Sequence, residues 1–245
     1  MSAELRVIPV EGMPEVREGD KVGELIAARA ELRDGDVVVI SQKVVSKAEG
    51  MVRRLAEVEP SARARKLADE QGKEAEAVEL VLSESREILR AERGVLITET
   101  HHGFVCANAG IDSSNLPEDG TVCLLPADPD ASARRIRAEL PGTVAVVIAD
   151  SFGRAWRLGQ AEVAIGCAGL AAIDDWRGRE DANGRELTAT EIAIADEVAA
   201  AADLVRVKDS GVPAVVVRGL DRYVRAEDGP GASALQRPRS EDLFR

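Results

Sequence analysis

The chain has 245 residues, of which 45% are hydrophobic and 2% aromatic, and its formal net charge is −12 at pH 7. This length and composition allow a buried core without disulfides, and they exclude a peptide hormone or a disulfide-held mini-protein. The negative charge argues against unspecific binding to DNA, RNA or an anionic membrane, and the shortage of aromatic side chains argues against a base-stacking surface.

The cysteines and the N-terminal residues bear on the cellular compartment. Cys106, Cys123 and Cys167 are far apart in apolar or small-residue surroundings, which is typical of reduced thiols and not of a zinc site. Residues 1–12 lack the basic and apolar regions of a secretion signal, and the apolar run at 144–149 is too short to span a membrane. We therefore expect a cytoplasmic protein that binds neither a membrane nor a nucleic acid.

The N-terminal pattern predicts a strand at residues 5–10, a helix over 22–32 and a buried strand at 37–40. Polar residues that directly follow a strand are often part of a site. Here they are Ser41, Gln42 and Lys43.

The composition changes between residues 60 and 93, where Ala, Glu, Arg and Leu dominate. The spacing of apolar residues up to Ile88 and Leu89 predicts two helices that are separated near Gly72. Strands are predicted next, at 95–98 and 122–125.

A helix is predicted to begin at Asp128 and Pro129 and to reach Leu140, since proline suits the first helical turn. The apolar run at 144–149 predicts a strand that is buried on both faces and ends abruptly at Asp150. The pattern then predicts an Ala/Gly-rich segment at 161–172, a charged loop at 174–185, a helix over 190–205, a strand at 214–218 and an extended tail over 226–245.

Strands and helices alternate without a regular βαβ order, so the fold class that we predict is α+β, with mixed sheets and flanking helices. No repeat or linker divides the chain, and a single domain over residues 1–245 is expected. The sequence lacks the phosphate loop GxxxxGK[ST], the dinucleotide fingerprint GxGxxG and the nucleophile elbow GxSxG. Nucleotide chemistry would therefore need another framework.

Two aspartates are candidate metal ligands. Asp112 lies in a small-residue loop with Asn115, and Asp150 is followed by Ser151. Carboxylate, hydroxyl and carbonyl oxygens are the ligands that Mg²⁺ and Mn²⁺ prefer, and substrate phosphates often complete the shell. The alternative is that both aspartates only cap helices or turns.

Basic residues occur near both aspartates in the predicted arrangement. Lys43 and Lys47 follow one strand, and Arg154 and Arg157 follow the strand that precedes Asp150. These cations could contact phosphate oxygens, or they could simply be solvated.

Three further residues, His101, His102 and Cys106, are of types that often occur in active sites. His101 and His102 are neighbours, and neighbours in a strand point to opposite faces, so at most one of them could face a site. A hydrogen-bonding role is favoured for His102. Cys106 is interpreted as a small buried residue and not as a nucleophile.

Two long motifs resemble those of the coenzyme F420:L-glutamate ligase family. They are HGFVCANAGID at residues 102–112, with Ser114 and Asn115, and DSFGRAWRLGQ at residues 150–160. Shorter matches are GMPE at 12–15, SKAEG at 46–50, AIG at 164–166, Arg177 with Gly178, Asp181 and Gly184, and DLFR at 242–245. The resemblance covers essentially the whole chain.

The resemblance implies GTP-dependent addition of L-glutamate to coenzyme F420-0, and often of further γ-linked glutamates, with Mg²⁺ or Mn²⁺ and in some members K⁺. It also implies two interleaved lobes in an intertwined homodimer. The residues that match the GTP contacts of the family are Gly12, Met13, Pro14, Glu15, Gln42, Lys43, Lys47, Asn115 and Lys208. Those that match metal ligands are Asp112, Asp150 and Ser151, and the residues expected to carry catalysis are Asp150, Asp112 and Arg154.

The sequence departs from the family pattern at two positions. Val207 replaces a glycine expected before Lys208, which puts a backbone contact there in question, and His101 stands where arginine is common. A flavin-binding domain, present in some members at the C-terminus, is not expected in this chain.

Two other functions fit the same residues. A metal-dependent phosphatase or nucleotide hydrolase could use the same aspartates, and it would release phosphate without an acceptor. A non-catalytic carrier of an anionic cofactor would not need both Asp112 and Asp150.

Overall fold

The computed structural model describes residues 4–114, 116, 118–207 and 210–244. The α-helices of the described residues are α1 (Val22–Ala27), α2 (Gln42–Ala48), α3 (Ala62–Gln71), α4 (Ala75–Ser83), α5 (Pro129–Ala138) and α6 (Ile194–Asp203). The strands are β1 (Arg6–Pro9), β2 (Val37–Ser41), β3 (Val52–Arg54), β4 (Ser85–Glu92), β5 (Val95–Thr100), β6 (Val105–Ala107), β7 (Thr121–Cys123), β8 (Ala145–Arg154), β9 (Arg157–Ala168), β10 (Asp174–Asp175), β11 (Glu191–Ile192) and β12 (Ala214–Arg218).

The main sheet has five strands in the order β1-β12-β2-β8-β9. Only β2 and β8 run parallel to each other, and the other neighbouring pairs are antiparallel. Smaller sheets pair β4-β5-β6, β3-β7 and β10-β11. The predicted α+β fold with mixed sheets is confirmed.

Both faces of the main sheet are covered by apolar side chains. On one face Val38 and Ile40 of β2 belong to a core cluster that includes residues of α1 and α5, and on the other Val37 and Val39 pack with residues of α6. This alternation follows from the two-residue period of a strand. The predicted burial of the run at 144–149 on both faces is confirmed, because its residues are at most 1% exposed.

A third apolar cluster lies apart from the main sheet. It is formed by residues of α3, α4 and β5, among them Ala64, Val78 and Leu96. The helix break near Gly72 is confirmed, since Gly72 ends α3 in the left-handed conformation that glycine adopts without strain. The predicted helix start at Asp128 is also confirmed, because its side chain accepts a hydrogen bond from the backbone N–H of Ala131.

The helical prediction for residues up to 93 is wrong at its C-terminal end. Residues Ser85–Glu92 form β4, and this strand pairs antiparallel with β5. The tight connection uses Arg93 and Gly94, both with positive φ, a conformation typical of two-residue hairpin turns. The pairing with β5 therefore overrides the helical spacing of Ile88 and Leu89.

The predicted end of a strand at Asp150 is also wrong. Strand β8 continues to Arg154 because it pairs with β9 along its whole length, and β9 lies largely in the segment read only as Ala/Gly-rich. The helices α1 and α6 are shorter than the predicted spans of 22–32 and 190–205.

The three cysteines are buried and free. In the part of the chain that the structure describes, no helix has the length and apolar character needed to cross a membrane.

Gly166 of β9 permits a close approach between the main sheet and α5. A Cβ atom at this position would lie 2.3 Å from the carbonyl oxygen of Pro129. We expect Gly166→Ala to destabilise the protein by roughly 1–3 kcal/mol, because the backbone of α5 would have to move. The matched control is Gly153→Ala in β8, whose added Cβ has no heavy atom within 4 Å. Urea unfolding that gives equal midpoints for both variants would contradict this assignment.

Candidate active site

A cavity of about 580 Å³ lies at the end of the parallel pairing between strands β2 and β8, and polar residues that follow this pairing line it. The parallel pairing of β2 and β8 ends with Ser41 and Ala149. The residues that follow directly, Gln42 and Lys43 after β2 and Asp150 and Ser151 within β8, all line the cavity. Ligand sites are common where the parallel part of a sheet ends at its carboxyl side, and β8 continues beyond this point only in its antiparallel pairing with β9. The predicted site residues that line the cavity are Met13, Pro14, Glu15, Gln42, Lys43, Lys47, Asp112, Asp150 and Ser151.

Lys43 connects helix α2 with the loop that contains Asp112 and Ser114. Its ammonium lies 2.8 Å from Oδ2 of Asp112 and 2.8 Å from Oγ of Ser114, and it also donates to the Ser114 carbonyl oxygen. Burial raises the pKa of Asp112, but hydrogen bonds from Lys43 and Ser114 outweigh it, and the pKa lies below its ordinary value. Asp112 is therefore a carboxylate at neutral pH.

The pKa of Asp150 is shifted in the opposite direction to that of Asp112. Burial raises its pKa to about 7, and the negative charges of Glu162 and Asp112 act in the same direction. The backbone N–H of Ser151 and the charge of Lys43 lower it only in part. A carboxylate in such surroundings is favoured by any cation that enters the cavity.

Glu162 and Arg206 are cavity residues that sequence reasoning missed. Glu162 lies opposite Ser151 in the β8-β9 pair and accepts a hydrogen bond from the Ser151 hydroxyl. Its other carboxylate oxygen lies 2.6 Å from Nη2 of Arg206. The local signal is confined to residues 160–163, where polar and apolar residues alternate, and it is too short to predict the strand.

Two further residues that were predicted to contact the nucleotide, Lys47 and Gln42, already have partners within the chain. Nζ of Lys47 lies 2.6 Å from Oε1 of Glu15. The side-chain amide of Gln42 donates to Oγ of Ser46 and to the carbonyl oxygen of Leu124, so Gln42 is held by the protein interior while it lines the cavity.

Two predicted site residues with described positions, Gly12 and Arg154, do not line the cavity. Gly12 adopts a positive φ and its carbonyl oxygen accepts a hydrogen bond from Nε of Arg29, but Gly12 is not among the lining residues. Arg154 lies at the exposed end of the β8-β9 hairpin, where its guanidinium donates to the carbonyl oxygen of Leu158. Asn115 and Lys208 lie outside the described residues.

The histidines and Cys106 fit structural roles. His101 and His102 lie in a turn and not in a strand, so the strand argument about their orientation does not apply. Nε2 of His102 is 2.9 Å from the carbonyl oxygen of Pro126, which confirms a hydrogen-bonding role, and its ring stacks with Phe104. Burial raises the pKa of Cys106 to about 12, so its thiol is not an activated nucleophile.

The oxygen donors of the cavity fit a hard divalent cation. Asp112 and Asp150 supply carboxylates and Ser151 a hydroxyl, the ligand types that Mg²⁺ and Mn²⁺ take. Among the residues with described positions, no three His, Cys, Asp or Glu side chains are close enough to form a complete protein cage. The donor set therefore suits an ion whose shell is completed by water or by substrate phosphates.

Comparison with known proteins gives the family. The model of the F420-0:Gamma-glutamyl ligase family matches residues 12–219. A relative from Methanothermobacter thermautotrophicus, named coenzyme F420:L-glutamate ligase, is 46% identical, and the match covers 98% of this chain and 99% of the relative. A relative with the same name from Archaeoglobus fulgidus is 46% identical, and the match covers 98% of this chain and 96% of the relative. Another, from Methanopyrus kandleri, is 47% identical, with 98% of each chain covered. The chain therefore belongs to the F420-0:gamma-glutamyl ligase family.

Proposed function

We propose that this chain is a ligase of coenzyme F420 biosynthesis that uses GTP to add L-glutamate to coenzyme F420-0. The observation that carries the proposal is the single cavity in which Lys43, Lys47, Asp112 and Asp150 meet. The relatives named coenzyme F420:L-glutamate ligase, which match over nearly their whole length, support L-glutamate and the coenzyme F420 acceptor as substrates.

The chemistry requires activation of the acceptor. A carboxylate does not form an amide with an amine in water without a leaving group, so an acceptor oxygen first attacks the γ-phosphorus of GTP and GDP departs. The α-amine of glutamate then attacks the acyl carbon, loses a proton and expels inorganic phosphate. No side chain is covalently modified in this sequence, which agrees with the protonated state of Cys106.

The charges of the cavity constrain how anionic substrates bind. Among the cavity residues with described positions, the basic side chains are Lys43, Lys47 and Arg206, and each of them is ion-paired. The acidic side chains in the same described set are Glu15, Asp112, Asp150 and Glu162. A triphosphate and a carboxylate acceptor therefore need additional positive charge. A divalent ion held by Asp112, Asp150 and Ser151 would neutralise phosphate oxygens, and K⁺ is proposed as a further cation.

The residues of the chain would then position the phosphates. We propose that Lys43 neutralises charge on the transferred phosphoryl group, since its ammonium lines the cavity beside Asp112. We assign nucleotide contacts to Lys47, to Gln42 and to the segment of Gly12, Met13, Pro14 and Glu15, and further contacts to Asn115 and Lys208. The preference for guanine rests on family membership.

Mass spectrometry of the products tests this function. Incubation with F420-0, L-glutamate, GTP and Mn²⁺ is expected to give F420-0 enlarged by one or more glutamyl residues, and the distribution of masses reports how many are added. Replacement of GTP by ATP is expected to reduce product formation strongly. Phosphate release from GTP without acceptor and glutamate, and no glutamylated product, would instead indicate a phosphatase or nucleotide hydrolase.

We further propose that the single domain, with its two lobes interleaved, forms an intertwined homodimer. The hairpin end exposes Trp156 and Leu158, which are 83% and 97% exposed, and the ring of Phe244 contacts that of Trp156. Burial of such apolar side chains between two copies would be favourable.

Leu158→Asp is expected to shift the protein from dimer to monomer, because a carboxylate would be buried in the interface. Light scattering at micromolar concentration measures the change, and Val95→Asp, a substitution of a 40% exposed residue on another strand, is the control. A wild-type protein that is already monomeric would contradict the proposal.

A further inference from the structure

Arg206 lies just after α6 and lines the same cavity as Asp150 and Lys43. Its side chain is 9% exposed. An arginine this far removed from water normally has partners for its guanidinium N–H groups, because the charged group cannot be neutralised by losing a proton.

The two terminal nitrogens of the Arg206 guanidinium, Nη1 and Nη2, differ in their contacts. Nη2 lies 2.6 Å from Oε2 of Glu162 and 3.8 Å from Oδ1 of Asp203. Nη1 is buried, and it has no hydrogen-bond partner in the described part of the chain. A buried donor without a partner is unfavourable, so an acceptor is expected at this position.

We propose that Nη1 of Arg206 binds an oxyanion of a substrate, either a carboxylate or a phosphate group, that enters the cavity. The proposal rests on the proposed ligase function, in which the nucleotide, the acceptor and glutamate all carry such groups. A planar guanidinium can keep its contact with Glu162 through Nη2 while Nη1 donates to a second anion.

Arg206 differs from Lys43 and Lys47, the other described basic residues of the cavity, in its contacts. Lys43 is bound to Asp112 and Ser114, and Lys47 is paired with Glu15. Arg206 combines a buried charge with an N–H that has no described acceptor, and it lies beside Glu162, the partner of Ser151. The oxyanion would thus be held next to the proposed metal ligands Asp150 and Ser151.

The alternative is that Arg206 only neutralises Glu162. The two roles are separated by the variants Arg206→Gln, Arg206→Lys, Glu162→Gln and the double variant Glu162→Gln/Arg206→Gln. The KM values for GTP, L-glutamate and F420-0 are measured one at a time with the other two saturating, and thermal unfolding confirms that each variant is folded.

Arg206→Gln is expected to raise the KM of the substrate that carries the bound oxyanion by about tenfold or more, with a smaller rise for Arg206→Lys, which keeps the charge. A rise for glutamate identifies a carboxylate, a rise for GTP identifies a phosphate, and a rise for F420-0 identifies an anionic group of the acceptor. In the background of Glu162→Gln, adding Arg206→Gln is expected to produce the same rise. Should Arg206→Gln fail to fold, the comparison of Glu162→Gln with the double variant decides.

Two results would overturn the proposal. One is KM values for all three substrates that stay within roughly threefold of wild type in folded Arg206→Gln, since loss of a charged hydrogen bond costs more than that. The other is restoration of wild-type KM values when Glu162→Gln is combined with Arg206→Gln, which would show that only the buried carboxylate needed a partner.

Direct binding separates this proposal from the proposed function. Calorimetric titration of wild type and Arg206→Gln with GTP, L-glutamate, F420-0 and inorganic phosphate needs no turnover. Weaker binding of at least one of these probes to the variant supports the role of Arg206 even if no glutamylated product forms. Equal affinities for all four contradict it even if the wild type is an active ligase.

Discussion

Asp150→Asn is expected to lower turnover by about 10³ or more while the protein stays folded. The substitution keeps the shape of the side chain and removes the negative charge with which the proposed divalent ion would be held. Manganese is expected to raise the unfolding temperature of the wild type and not of the variant. Steady-state kinetics and thermal unfolding with and without Mn²⁺ measure the two effects.

The same variant has a pH signature in the metal-free protein. The pKa of Asp150 in the folded state is raised to about 7 from 3.8, by burial first and then by Glu162 and Asp112. The folded state therefore binds the proton more tightly than the unfolded state, so wild-type stability falls as the pH rises between these two values. Each pKa unit corresponds to about 1.4 kcal/mol. The free energy of unfolding of Asp150→Asn, compared with that of wild type, is therefore expected to increase as the pH rises to about 7 and to stay constant above it.

Urea unfolding in the presence of a chelator at several pH values between 5 and 8 tests this signature. The control is Asp175→Asn, a substitution of an exposed carboxylate whose pKa is lowered to about 2 by hydrogen bonds from Arg177. A variant at Asp150 that is less stable than wild type at every pH, and whose folded fraction ligates at the normal rate, would show that Asp150 has a structural role only.

Lys43→Met is expected to reduce turnover by roughly 10²–10³, the usual cost of removing one preorganised charge that stabilises a transition state. The side chain of Lys43 is only 14% exposed and its ammonium bonds Asp112 and Ser114. Methionine fills similar space without the charge.

Lys43→Met and Asp112→Asn are expected to differ in their effect on metal affinity. Loss of the lysine removes repulsion of a divalent ion and frees the Asp112 carboxylate, so Mn²⁺ affinity is expected to stay equal or increase. In Asp112→Asn both metal affinity and turnover are expected to fall. Lys66→Met, on the exposed face of α3, controls for the loss of one positive charge. Normal turnover in Lys43→Met would exclude its proposed role.

Much of the main sheet could be predicted because its central strands carry a local signal. Runs of β-branched residues such as 37–40 and 214–218 are too apolar to lie anywhere but in a core, and Asp128 with Pro129 marks a helix start. The resemblance of the motifs to those of a known family then named the polar residues that the cavity brings together.

The parts that could not be predicted depend on long-range pairing. Strand β4 has helical spacing, and only its pairing with β5 makes it a strand. Strand β9 is rich in small residues, and the burial of Glu162 results from its position opposite Ser151. Arg206 matters because a distant strand supplies its carboxylate partner, which no local pattern of the sequence indicates.

The central claim is that this cavity activates an acceptor carboxylate by phosphorylation, and an isotope experiment tests it most directly. F420-0 labelled with ¹⁸O in its carboxylate is incubated with L-glutamate, GTP and Mn²⁺, and the released inorganic phosphate is analysed by mass spectrometry. The first amide bond formed on each F420-0 is expected to transfer one labelled oxygen to phosphate, because the acyl C–O bond is the one that breaks, whereas later additions activate an unlabelled glutamate carboxylate. Only unlabelled phosphate in a reaction that yields F420-0 with one added glutamate, or phosphate released at the same rate without glutamate and acceptor, would contradict this claim.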